Sequence, residues 1–114
     1  MFYLNDNEEY ETQINGITFI CKEVEADYEK IASEIAECYE TKLDSIAEFL
    51  LDEGISDFWG EISADELKKA LGVPVINLDN ESIVYLEHIL DDEHIIEFEY
   101  EGILENFMYL NIDG

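Results

Sequence analysis

Hydrophobic and polar positions change period along the chain. Between Tyr10 and Glu23 they alternate, with Ile17, Phe19 and Cys21 on one side, as in a strand whose successive side chains point to opposite faces. Asn15-Gly16 interrupts the alternation, and both residue types tolerate the positive φ of a tight turn, so a β-hairpin is predicted there. Ahead of it, Met1 to Glu9, which opens with MFYL and continues as the polar run NDNEE, reads as a short edge strand or a loosely held terminus. From Asp27 the period becomes about 3.6 residues: Tyr28, Ile31, Ala32, Ile35, Tyr39, Leu43, Ile46, Phe49 and Leu50 recur at spacings of three and four. That stripe predicts one long helix ending near Glu53-Gly54, with the glycine as a left-handed cap. Ser63, followed three residues on by Glu66, has the form of a capping box and opens a short helix that turns Leu67, Ala70 and Leu71 inward and stops at Gly72.

From Val75 onward the period returns to two. Four strand-like runs, VINLD, SIVYLEHIL, HIIEFEY and NFMYLNI, are separated by polar clusters and predict a four-stranded antiparallel meander. In the third run Ile96, Phe98 and Tyr100 share one side, while Ile95, Glu97 and Glu99 share the other. If Met108, Leu110 and Ile112 join the buried side, Phe107 and Tyr109 lie outside, beside Glu97, Glu99, Tyr85 and Glu87. Such a face is either open, with acids and aromatics interleaved, or covered by the N-terminal hairpin. The fold class that follows is α+β: an N-terminal β-hairpin, then one long and one short helix packed on one face of the four-stranded C-terminal meander. At 114 residues the chain suits a single domain spanning 1–114.

Charge narrows the functional classes. Thirty Asp and Glu stand against five Lys and no Arg, a net charge of -25, so most carboxylates have no possible ion-pair partner. Phosphate neutralisation needs Lys and Arg, which argues against binding nucleic acid, and the same deficit argues against anionic membranes. The partner expected is a basic protein. Disorder does not fit the aromatic content and the periodic segments. Cys21 and Cys38 occupy apolar positions of a strand and a helix and read as reduced thiols. Without a basic, apolar leader or a long apolar run, the chain is expected to be cytoplasmic.

Several chemical constellations are weaker. His88 and His94, with Asp91 and Asp92 between them, resemble half a zinc site but lack neighbouring cysteines, so a solvated turn is the simpler reading. The alternating loop of a calcium hand is absent, and a carboxylate pair carries little information among thirty acids. No nucleophile motif or glycine-rich phosphate loop is present. Neither enzyme activity nor a metal or cofactor is expected. Phe58 and Trp59, on a short loop bracketed by Gly54 and Gly60, read either as a plug at one end of the core or as a binding anchor.

The C-terminal third, chiefly LDDEHIIEFEYEG and the closing YLNIDG, resembles a group of small acidic bacterial proteins, some of which are immunity proteins encoded beside toxins. The similarity runs from Val75 to Gly114 and is one of strand pattern and polarity. It implies a cytoplasmic antidote that binds and blocks one cognate toxin. The physics agrees with that implication, since a nuclease toxin needs a positive cleft that an acidic inhibitor can fill with steered association. The rival expectation is nucleic-acid mimicry directed at a DNA-processing or defence enzyme, with Glu37, Asp44 and Glu48 as a carboxylate row on the long helix. A passive, merely soluble domain is the third. Candidate partner-binding residues are Phe58, Trp59, Glu87, Asp91, Asp92, Glu97, Glu99, Phe107 and Tyr109, on a monomer or weak homodimer.

Overall fold

A computed structural model describes residues 1–113. The strands are β1 (Tyr3–Leu4), β2 (Tyr10–Ile14), β3 (Ile17–Cys21), β4 (Val75–Asn77), β5 (Ser82–Tyr85), β6 (Ile95–Glu101) and β7 (Asn106–Asp113). Between β3 and β4 come the helices α1 (Tyr28–Asp52), α2 (Ile55–Trp59) and α3 (Ala64–Leu71). All seven strands form one mixed sheet in chain order. Only the β3–β4 pair is parallel, because the helices between those strands carry the chain back to the sheet's starting end. Asn15 and Gly16 both take positive φ at the β2–β3 turn, as the hairpin signal requires. The capping box is formed: Ser63 Oγ accepts from Glu66 N, and Glu66 Oε1 accepts from Ser63 N.

The core follows from register. Thr12, Phe19, Ile76, Ile83 and Phe98 pair in turn across β2 to β6, and each is buried. This row faces the apolar stripe of α1, where Ala32, Ile35, Tyr39, Ile46 and Leu50 are buried in the same cluster. At 25 residues α1 is about 37 Å long, close to the 42 Å longest dimension of the molecule. Burial of this stripe against the sheet holds the helix, since its exposed acids repel one another. Tyr39 and Tyr85 share a buried hydroxyl–hydroxyl hydrogen bond, and burial pushes the Tyr39 phenol up to about 12. Both cysteines are free. Burial, then the charges of Asp79, Glu25 and Glu9, push the Cys21 thiol up to about 11. No helix among the described residues is long and apolar enough to cross a membrane.

Four expectations need correction. The meander is not a separate four-stranded sheet: the hairpin joins its edge through β3, so it extends the sheet and does not cover it. The second run ends as a strand at Tyr85, because His88 and Asp91 satisfy local backbone groups and turn Leu86 to His94 into a loop. Phe58 and Trp59 lie on α2 and not on a loop.

The fourth correction concerns faces. Tyr85 is fully buried on the helix side, paired with Ile96. Phe107 also lies on that side, with its ring centroid 5.9 Å from Phe49 and 5.8 Å from Phe98. The cause is a β-bulge: Glu97 pairs with Asn111 but Glu99 pairs with Met108, so β7 holds one extra residue opposite Phe98. The alternation therefore changes phase within the strand. Leu110 and Ile112 pack on the core as expected, whereas Met108 lies on the opposite face and Phe107 takes the inner one.

Candidate functional site

The sheet face away from the helices carries no covering element. One register row crosses it from Tyr3 through Glu11, Ile20, Asn77, Ser82 and Glu99 to Met108. The next row runs Gln13, Thr18, Val75, Val84, Glu97 and Asn111. No residue in either row is cationic. Among the described residues, no ion pair involves Glu11, Glu97 or Glu99. Glu97 and Glu99 stand two residues apart on β6, about 6.8 Å along the strand, and neither has a counter-charge opposite it. Glu11 is anchored: Tyr3 Oη donates to one carboxylate oxygen at 2.6 Å and Asn5 Nδ2 to the other at 3.0 Å. Those bonds hold its carboxyl below the usual range.

Tyr109 is the exposed aromatic that edge strand β7 brings to this face. It sits at the bulge with φ +60, a conformation that a bulky residue adopts only at a cost of about 1–3 kcal/mol. The bulge lifts its ring outward, where it is 71% exposed. Together with Glu97, Glu99, Asn80, Ser82 and Asn111 it lines a concavity of about 300 Å³. Sequence periodicity places Glu97, Glu99 and Tyr109 on one face, and the structure brings all three to the same hollow. It removes Phe107 and Tyr85 from that face and adds Glu11 and Tyr3, which reach it because the hairpin extends the sheet.

The remaining candidates gather where the loop after β5 meets α2. Asp91 is a clamp there. One carboxylate oxygen accepts from Trp59 Nε1 at 2.7 Å and from the His94 ring at 2.8 Å. The other accepts from the backbone N–H of Glu93 at 3.0 Å and of His94 at 2.9 Å. With four internal donors, Asp91 is engaged within the fold and is not a free charge for a partner. Trp59 packs edge-on against His88 and Phe58 edge-on against His94, so the plug reading describes Trp59. Phe58 remains 48% exposed, and Glu87 and Asp92 are exposed on the loop after β5, Glu87 against Gly72 at the end of α3.

The His88 ring accepts from Leu90 N through Nδ1, so it is neutral at that nitrogen, and its Nε2–H donates to the His94 carbonyl. Both imidazole nitrogens are therefore committed within the loop. Among the described residues no set of three or more His, Cys, Asp or Glu side chains is arranged to hold a metal ion.

The clamp predicts an acid transition. Burial alone would raise the Asp91 carboxyl, but the bonds from His94, Trp59 and Glu93 outweigh it and hold the group well below the usual carboxylate range. Its folded pKa is thus below its unfolded value, so its contribution is complete above the ordinary Asp pKa of about 4 and dwindles as the pH falls below that. Trp59 fluorescence is expected to change over that acid range in the parent protein. In Asp91→Asn the acid-dependent part should be missing and the loop already loosened at neutral pH. An unaltered acid profile in Asp91→Asn would assign the transition to other carboxylates.

Sequence reasoning missed a second acidic concavity, of about 430 Å³, between the start of α1, the β4–β5 turn and the β6–β7 turn. Tyr28, Asp79, Glu81, Tyr100 and Glu105 line it. Tyr28 Oη donates to Asp79 Oδ1 at 2.9 Å, and the other oxygen of Asp79 accepts from Lys22 N. The parallel β3–β4 crossover brings these distant segments together, and no local pattern marks them. Compared with known family models, curated proteins and solved structures, the chain matches none of them.

Proposed function

We propose that this protein works by binding: it is an immunity-type inhibitor that occupies the basic cleft of a cationic bacterial toxin of the nuclease class. The observation that carries the reading is the uncovered sheet face, where Glu97 and Glu99 flank a hollow beneath the exposed Tyr109 and, among the described residues, no cation pairs with them. A partner that supplies lysines or arginines relieves that uncompensated charge, and the aromatic supplies a rigid anchor beside it. With a net charge of -25, encounter with a positive cleft is steered and fast, while two copies of this chain repel one another, which favours a monomer. The compartment in which toxin and inhibitor meet is the cytoplasm, and no catalysis is required of the chain.

The test is co-expression with the small basic protein encoded beside it. Growth arrest caused by that protein alone, and relieved by this chain, supports the reading. Undiminished arrest at matched expression contradicts it.

Nucleic-acid mimicry is the second reading, supported by the exposed helix row Glu37, Asp44 and Glu48. It is less favoured because Lys68 pairs with Asp44 and so interrupts the row. Mimicry also predicts capture of several unrelated DNA-processing enzymes, where the immunity reading predicts one partner.

A further inference from the structure

We propose that the cavity walled by Tyr28, Glu81, Tyr100 and Glu105 is a receptor for a guanidinium group, delivered by an arginine side chain of the basic protein partner. The proposal rests on the reading of this chain as a binder of such a protein and gives that binder a second, separate contact.

The key residue is Tyr100. It is 3% exposed, yet its hydroxyl makes no hydrogen bond to any described residue; only burial and the nearby Glu81 and Tyr28 groups act on it. Among the described residues no fully enclosed polar side-chain atom goes without a partner, so this hydroxyl keeps some access to the cavity that Tyr100 lines. An almost buried phenol without an internal partner that lines a hollow is placed to hydrogen-bond a group entering it. Around it, Glu81 and Glu105 are exposed carboxylates with no ion pair among the described residues. Asp79 is already bonded to Lys22 N and Tyr28 and serves to fix the wall.

The wall's chemistry selects among cations. Ile31, Leu78 and Ile103 form its apolar part, which suits the methylene stem of a long side chain. The partly exposed Tyr28 ring and two carboxylates without ion pairs line the hollow, while the Tyr100 oxygen adds a further acceptor. A planar guanidinium with five N–H donors can engage all of these together, whereas an ammonium presents a compact point charge and cannot stack. A volume of about 430 Å³ is within the usual range of ligand clefts.

The experiment titrates the whole protein with N-acetyl-arginine amide and follows tyrosine side-chain resonances by NMR. Saturable binding at a single site, reached only in large excess of the ligand, with a dissociation constant on the order of millimolar and shifts centred on Tyr28 and Tyr100, is expected. Capped lysine should bind several-fold more weakly, and capped citrulline, the neutral counterpart, should not saturate. Tyr100→Phe removes only an unpartnered hydroxyl, so the fold should keep its stability while capped arginine binds about tenfold more weakly. Glu81→Gln should weaken binding similarly. Equal affinity for citrulline, or binding unaltered in both variants, overturns the proposal. Free L-arginine binding more tightly than the capped form overturns the protein source, because the site would then serve a small molecule. None of these measurements uses the partner, so their failure leaves the sheet-face reading intact, and failure of toxin neutralisation leaves the guanidinium site intact.

Discussion

Phe98→Ala should cost about 3–5 kcal/mol of stability, the upper range for removing a buried aromatic ring. Phe98 is fully buried on β6 beneath α1, with Phe49 at 5.4 Å, Phe107 at 5.8 Å and Tyr85 at 6.1 Å. Those three rings belong to α1, β7 and β5, so the space left behind is bounded by elements that cannot all move inward. Domains of this kind have roughly 5–15 kcal/mol in total, and the urea midpoint should fall by roughly 2 M. Two companions test the face assignment. Phe107→Ala should also destabilise, whereas Tyr109→Ala should leave the midpoint nearly unchanged, because the ring is exposed and alanine keeps the Cβ that strains the positive φ. A loss below 1 kcal/mol for Phe98→Ala, or equal losses for Phe107→Ala and Tyr109→Ala, would show that the bulge does not set the phase described above.

The second large effect is on association. Reversing Glu97→Lys and Glu99→Lys together should slow binding to the basic partner at low salt by about tenfold to a thousandfold, the range over which electrostatic steering acts. Stability should hold or rise, because two like charges with no cation opposite them are removed from one strand. Stopped-flow association at several salt concentrations reads both the rate and its salt slope. A parent rate that ignores salt, or a variant that associates as fast as the parent, would contradict a role for these carboxylates in encounter.

What could be read from the chain divides along physical lines. The hairpin at Asn15-Gly16, the stripe of α1 and the Ser63–Glu66 cap were legible because each depends on residues within one or two turns of each other. The phase of β7 was not, because a bulge adds one residue without any compositional mark and exchanges the faces of Phe107 and Met108. The loop from Leu86 to His94 contains Leu86, Ile89 and Leu90 and looks strand-like, but His88 and Asp91 compete for its backbone. The union of hairpin and meander depends on a parallel crossover, a non-local pairing that periodicity cannot express. The same is true of the candidate sites. Glu97, Glu99 and Tyr109 could be placed together from strand alternation, although Tyr109 reaches its position through the bulge and not through simple alternation. Tyr28 and Tyr100, 72 positions apart in the sequence, meet only in the folded chain.

The most direct test of the central claim is affinity capture from lysate of the protein's own source, run side by side with the parent chain and the Glu97→Lys, Glu99→Lys variant. The account predicts that the parent retains one small basic protein encoded beside it and that the variant loses it, with the amount retained by the parent falling as salt is raised. Equal retention by parent and variant, or retention of no basic protein by either, would contradict it.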